Sequence, residues 1–495
     1  MKSSDNLYLL IRSLSASEKR YFKIFSQRHL IGGQNKYDKL FDIYDGLGEE
    51  GYDEKALLPV LTKKGFGKNL SDHKKNLQEM IMRAMLNYHS GETVDQQLND
   101  LLAEEDFYRQ KRLNGLRAKA IARAKEIAEK YDRPMIMLQL LVRENMMRIE
   151  IEQDRLPEIA EGLDTERLPL LDRITITSDL SALNNWLFIQ YRLGGKRDEA
   201  LWERVAVRMS IPAFRDYRPG LSFLTDRSYY SAWTFYYLLR GDHAAYHQYV
   251  KLQYELYELH YPQQKDNARV MYKIALFNYV YSLQQTGDFD GMKALLDHAA
   301  TIEPMNEDDA GESFQNFVFY RQLYYMNTGR FAEAAAMTSE IEHGIRKYRR
   351  KVNKSRELTL YSNIAISCMM IEDWDRVVDY TEKIITDKTD VRMDIRHEAM
   401  LHQLIARYEM QQYDLLSYQC RSLQRTLGSR GQLHDSHTYI LRQLNLLLKN
   451  GPDHWDTLRR NSEEALASCQ DHSAVKVWLH KHIYKVTMRT AAAAV

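Results

Sequence analysis

The chain is poor in the residues that interrupt helices or cross-link a fold: its 495 residues include only nine prolines and three cysteines. Cys368, Cys420 and Cys469 lie far apart and form no CxxC pair, which argues against a disulfide framework and against a thiolate metal site. No apolar run approaches the roughly 18 to 20 residues that span a bilayer. The apolar stretch at residues 7–11 ends at Arg12, too short for a secretory core, so a cytoplasmic location is the expectation. Charge of one sign is missing too. With 69 basic and 68 acidic residues, no global field names a partner class. Because an interior proline removes a hydrogen bond and clashes with the preceding turn, all nine prolines are expected at breaks between helices.

What the chain has in abundance is tyrosine, 33 residues of it, within a composition that is 44% hydrophobic. That balance fits a folded chain rather than a disordered one. Residues 1–134 read as a helical N-terminal domain. Ser15-Ala16-Ser17-Glu18 has the form of a capping box, and helices are expected over 37–47, 54–63 and 71–88. Gly65-Phe66-Gly67 marks a loop. A long helical run over 93–131 is expected to break near Glu104–Phe107, and Arg133-Pro134 to form a domain boundary. The alternation Ile174-Thr175-Ile176-Thr177 is too short for a sheet and reads as a lead-in to a helix beginning near Ser178.

From about residue 180 to 425 one phrase returns: a Tyr/Leu/Phe-rich run, a tight turn, an aromatic and a second helical run. Clear copies are Gly287-Asp288-Phe289, Gly329-Arg330-Phe331 and Glu372-Asp373-Trp374; looser ones are Gly195-Lys196-Arg197, Gly241-Asp242-His243 and Gln411-Gln412-Tyr413. Successive turns are 46, 46, 42, 43 and 39 residues apart. A two-helix unit cannot bury its apolar face alone, so copies must stack. Counting from Gly287, Phe289, Ala299 and Pro304 fall where a tetratricopeptide repeat carries its aromatic, small packing residue and closing proline. The next unit repeats this with Tyr325, Gly329, Phe331 and Ala334. The chain therefore resembles a divergent tetratricopeptide-repeat protein, with units longer than the family's period of about 34. The stretch from Ser13 to Lys23 also resembles the opening of bacterial repeat proteins of this size, a likeness that implies no activity.

That resemblance implies an all-α fold: a right-handed superhelical solenoid of antiparallel helix pairs over 135–430, closed by capping helices at 431–495. It further implies that the first helix of each unit lines a concave side. The positions so selected are Asn185, Ile189 and Arg192; Ser231, Phe235 and Leu238; Phe277, Tyr281 and Gln284; Phe319, Leu323 and Met326; Ser362, Ile366 and Met369; and Leu401, Ile405 and Tyr408. The expected partner is a protein or peptide held along this apolar, aromatic surface.

Chemistry beyond binding finds little footing. Gly65-Phe66-Gly67-Lys68-Asn69 lacks phosphate-loop spacing. The pairs His243/His247, His434/His437 and His480/His482 come without an HExxH motif, and no G-x-S-x-G elbow occurs. No enzyme activity, cofactor or metal is expected. Six aromatics crowd residues 229–237, more than one helix stripe can bury, so most are expected to pack between units. The sharpest charge feature is a basic segment holding Arg346, Lys347, Arg349, Arg350, Lys351, Lys354 and Arg356. It is either a solvated connector or a patch that contacts phosphates or docks an acidic protein segment, and the phosphate reading makes nucleic acid the second candidate partner.

Overall fold

A computed structural model describes residues 5–27, 36–47, 54–91, 93–194, 198–349, 351–389, 391–429, 435–469 and 473–494. Among the described residues there are helices and turns and no strand. The chain divides into two compact units. Unit 1 comprises Met1–Asp179 with Gly220–Thr225 and Gln263–Asn267; unit 2 comprises Leu180–Pro219, Asp226–Pro262 and Ala268–Val495.

Unit 1 contains α1 (Asp5–Ser13), α2 (Ala16–Gln27), α3 (Lys36–Asp45), α4 (Glu54–Lys63) and α5 (Leu70–Tyr88). These close over a core holding Phe22, Phe41, Tyr44, Phe66 and Ile81. The capping box forms as expected: the Ser15 amide donates to Glu18 at 2.7 Å and the Glu18 amide to Ser15 Oγ at 3.3 Å. Phe66 is fully buried, so the Gly65-Phe66-Gly67 loop is a plug for this core.

Next come α6 (Val94–Gln110), α7 (Asn114–Lys130), α8 (Pro134–Ile151) and α9 (Leu156–Leu193). The break expected at Glu104–Phe107 lies instead at Arg112, in left-handed backbone with φ 59°. The charges there do not mark a connector. Glu105 is buried and accepts from Arg117 Nε at 2.6 Å, while Arg117 also reaches Glu150 at 2.7 Å. Pro134 opens α8, which packs on α7, so the expected boundary falls inside unit 1. Asp132 is buried and accepts from Arg173 and, at 2.7 Å, from the Leu224 amide.

Two further readings need correction. Residues 174–177 lie within the single helix α9 and lead into nothing. Thr175 and Thr177 turn their hydroxyls onto the carbonyls four residues back, Leu171 O at 2.9 Å and Arg173 O at 2.7 Å, a helical use of a β-branched residue. The prolines do not all mark breaks either. Pro59 lies inside α4 and Pro169 inside α9. Pro169 leaves the Thr165 carbonyl without a helical donor, and because Thr165 is exposed solvent can serve it.

Unit 2 takes up the end of α9, then α10 (Glu199–Met209), α11 (Pro212–Arg215), α12 (Phe223–Arg240) and α13 (His243–Thr286). The last is one helix of 44 residues that runs through Pro262, so a second helix and the following first helix are fused where two were expected. No glycine lies between Gly241 and Gly287 to reverse the chain. Then follow α14 (Phe289–Ala300), α15 (Glu307–Asn327), α16 (Phe331–Ala336), α17 (Thr338–Lys347), α18 (Lys354–Met370) and α19 (Trp374–Ile385). The unit ends with α20 (Met393–Glu409), α21 (Tyr413–Ser429), α22 (Asp435–Asn450), α23 (His454–Arg460), α24 (Ser462–Ala467), α25 (Ser473–Tyr484) and α26 (Met488–Ala494).

The recurring turn phrase has one recurring geometry. Gly241, Gly287, Gly329, Glu372 and Gln411 all have φ between 58° and 77°. In each case the next amide donates to the carbonyl five residues before it: Asp242 to Tyr237 (3.1 Å), Asp288 to Leu283 (3.0 Å), Arg330 to Tyr325 (2.7 Å), Asp373 to Cys368 (2.9 Å) and Gln412 to Arg407 (2.9 Å). This is the Schellman closure, which needs one left-handed residue. Asp242, Asp288 and Asp373 then cap the following helix through their side chains. The looser copy at 195–197 lies outside the described residues. Helices α15 to α21 pack chiefly on their sequence neighbours and on the next helix but one.

A left-handed non-glycine costs about 1–2 kcal/mol, partly offset by the greater freedom a glycine would lose. Gln411→Gly is therefore expected to stabilise the chain by about 0.5–1 kcal/mol. Gly287→Ala should destabilise it by about 1 kcal/mol or more. Urea unfolding of both variants checks the pair of opposite signs.

Candidate functional site

The first-helix face of unit 2 separates into an open part and a covered part. In the open part Asn185, Ile189 and Arg192 are exposed at the end of α9. Phe188 and Tyr191 lie beside them, also exposed, and both rings meet half-buried Phe235 of α12 at 5.2 and 6.2 Å. Ser231 and Leu238 are half-buried. On α13, half-buried Tyr281 meets Tyr246 at 5.9 Å, and Gln284 is half-buried nearby in sequence. Phe277 is buried, a correction to its expected place on the surface, because it stacks on Tyr320 of α15 at 5.8 Å and 12°. Tyr320 in turn meets Phe319 at 5.0 Å, and Leu323 and Met326 are half-buried. Burial pushes Tyr281 up and Tyr320 up to about 12, so both hydroxyls stay protonated donors. Each of these two groups lies within electrostatic reach of Tyr191.

The covered part overturns the rest of the expected surface. Ser362, Met369, Leu401 and Ile405 are buried, and Ile366 and Tyr408 pack on the same core. Helices α25 and α26 lie against α18, and α25 also against α20. They bring Trp478, Ile483, Met488 and Ala491 into one cluster with Met369, Leu401 and Ile405, and Trp455 of α23 joins it. Tyr408 is half-buried against the chain's own C-terminal helices rather than on an open surface: its hydroxyl accepts from Trp455 Nε1 at 3.0 Å and its ring meets Trp478 at 5.8 Å.

The polar anchor of this closure is Glu409. It accepts from Trp478 Nε1 at 2.7 Å and His482 Nε2 at 2.6 Å, with Lys481 Nζ at 3.5 Å. Burial alone would raise its pKa, but the His482 and Trp478 hydrogen bonds and the neighbouring charges outweigh that and hold it below the ordinary value. The three thiols belong to packing as well: all are buried, and burial pushes Cys368 to about 11 and Cys420 and Cys469 to about 12.

The crowded aromatics of α12 are mostly structural. Trp233 stacks between Tyr237 and Tyr249 at 5.4 and 5.2 Å, and Phe214 packs on Tyr229 and Trp233. Only Phe235 joins the open tract.

The basic segment is not a uniform patch. Lys351 pairs with Asp308, and Lys354 reaches Glu357 at 2.9 Å and Asp387 at 2.8 Å. Burial opposes ionisation of Asp387, yet the Lys354 and Thr389 hydrogen bonds bring its pKa down to about 2. Arg346 lies 3.9 Å from Glu342, Lys347 sits over the Tyr348 ring at 4.9 Å, and Arg349 is exposed. Arg350 lies outside the described residues. Arg356 leaves the segment altogether and packs over Phe319, 3.8 Å from the ring centroid.

The histidine pairs separate into different surroundings. His243 is exposed, His247 Nδ1 lies 3.1 Å from Ser282 Oγ, His434 lies outside the described residues, and His482 serves Glu409. Among the described residues no group of three His, Cys, Asp or Glu side chains could hold a metal ion, and no helix is long and apolar enough to cross a membrane. Comparison with protein-family models, curated proteins and solved structures gave no match.

Phe188, Tyr191, Tyr320 and Arg356 are residues of the open tract that periodicity missed. Phe188, Tyr191 and Tyr320 each stand one residue from a selected position, Ile189, Arg192 and Phe319, so a face wider by one helical step would have included them.

The docking of α25 should weaken in acid. Because the Glu409 pKa is depressed, its contribution is complete above the ordinary carboxylate value of 4.5 and is lost as pH falls through the lower folded value. Urea midpoints followed by tryptophan fluorescence should fall between about pH 5 and about pH 3. In Glu409→Gln, expected to be less stable by about 1–3 kcal/mol at neutral pH, that fall should shrink.

Proposed function

We propose that this protein is a non-catalytic interaction scaffold of the cytoplasm. In this reading unit 2 is a tetratricopeptide-like solenoid, a right-handed superhelix of antiparallel helix pairs, and a protein or peptide partner lies along the open tract. The observation that carries it is the pair of exposed rings Phe188 and Tyr191 set against half-buried Phe235, continued by Tyr281 and Tyr320. Such side chains combine apolar area, a hydrogen-bonding tip and low rotamer entropy, the properties of binding hot spots. The chain's own α25 supports the same reading, since it lies against α18 and α20, the first helices of the later units.

The alternative, a nucleic-acid or ribonucleoprotein regulator using residues 346–356, has weaker support. Lys351 and Lys354 are held by carboxylates and Arg356 by an aromatic ring. Among the described residues, the charge left for phosphates is mainly that of Arg346, Lys347 and Arg349.

Affinity capture from the native cell tests the scaffold at two salt concentrations. A Phe188→Ala/Tyr191→Ala variant should retain the fold and lose about tenfold or more in capture of the co-purifying protein. Changing salt should move that capture little. Equal capture by the variant, or loss with salt and release by nuclease, would overturn the reading in favour of the alternative.

A further inference from the structure

Arg356, half-buried, ends the open tract. Its guanidinium lies over Phe319 and makes a long contact, 3.4 Å, to Asn316 Oδ1. Among the described residues no carboxylate pairs with it. Buried Arg117 differs, with Glu105 and Glu150 as partners, and so does half-buried Arg173, with Asp132. The neighbouring charge is of the same sign. Arg392 is held by Asp394 and Thr359 and, together with burial as the larger cause, it pushes the Arg356 pKa down. Arg356 also stands in the first turn of α18, where the helix dipole disfavours a cation. Burial and Arg392 therefore raise the cost of this charge, Tyr320 offsets part of it, and no carboxylate among the described residues pairs with it.

Donors gather beside it. The Tyr320 hydroxyl is close enough to feel the Arg356 charge and lies in range of Tyr281 and Tyr191. None of these three hydroxyls bonds to another described residue. On the covered part of the same face the polar anchor is an acid, Glu409, and the segment laid on it supplies bases, Lys481 and His482. In the open part the anchor is a base, so the complementary occupant carries an acid.

Building on the scaffold reading, we infer that the open tract takes a partner-protein segment bearing an acidic side chain flanked by aromatic or aliphatic residues. Arg356 pairs with that side-chain carboxylate, and Tyr320 and Tyr281 donate hydrogen bonds to the segment. A charge-assisted guanidinium–carboxylate pair also fixes the register of an otherwise apolar contact.

Selection of short random peptides, displayed internally so that no free terminus is offered, tests this on the full chain. Selected sequences should share Asp or Glu beside an aromatic or aliphatic residue. Synthetic amidated versions with that acid changed to its amide should bind about tenfold more weakly or worse. Arg356→Met, which keeps contact with Phe319, should erase the difference by weakening the acidic peptide and strengthening the neutral one. The peptide substitution needs no protein variant, so it decides even if Arg356→Met fails to fold. Peptides that depend on Tyr191 and Tyr281 but show no acidic preference would overturn this inference alone. Binding that ignores those tyrosines, or selection of no sequence at all, would overturn the scaffold reading with it. A preference seen only for peptides with a free C-terminal carboxylate would reject the side-chain assignment.

Discussion

Ending one helix and starting the next within two residues requires one residue in the left-handed region, and the five described turn phrases of unit 2 meet that demand in the same way. The bond from the following amide back to the carbonyl five residues earlier closes the first helix, and where an aspartate follows, its side chain opens the second. Glycine fills the position at 241, 287 and 329; Glu372 and Gln411 fill it at a conformational cost. The geometry persists without the residue that most readily adopts it, so packing between adjacent helices outweighs a local penalty of about 1–2 kcal/mol. The same turn recurs at Arg112 and Asp132 in unit 1, where the next amides reach Tyr108 and Ala128.

The apolar side of each first helix must then be covered or remain open. The C-terminal helices cover it on α18 and α20. Their contribution is chiefly hydrophobic, with Trp455 and Trp478 as the largest surfaces, and Glu409 adds direction by receiving an indole and an imidazole at once. An acid so placed would be costly alone; with its donors present it selects one seating of α25.

How much of this could be read from residues alone depended on whether the signal was local. The capping box at Ser15 and Glu18, the helical class and the turn phrase are local, and the structure contains each. The fused helix α13 was misread because Pro262 was weighted as a stop while Gln263 to Asn267, which carry no stop signal of their own, were not weighed against it. The charges around Glu105 read as a solvated break because their partners, Arg117 and Arg143, are distant in sequence. Tyr408 was misassigned for the same reason: helix register correctly put it on the first-helix face, but nothing near it announces that Trp455 and Trp478 return to occupy that face. Arg356 was grouped with the basic segment by sequence proximity, although its environment is set by Phe319, 37 positions earlier in the chain.

That last case bears on how such a face could be selective. Aromatic area gives affinity with little orientation, because one ring replaces another at small cost. A guanidinium set among rings behaves differently. Left unpaired it opposes binding of any segment that seals it from water without supplying an acid, since desolvating the charge costs more than the apolar contact beside it returns. Paired, it adds a hydrogen-bonded contact with a defined direction. The position of Arg356 at the end of the tyrosine tract would therefore reject neutral apolar segments as effectively as it accepts acidic ones, and this rejection is what would keep an exposed aromatic surface from binding indiscriminately.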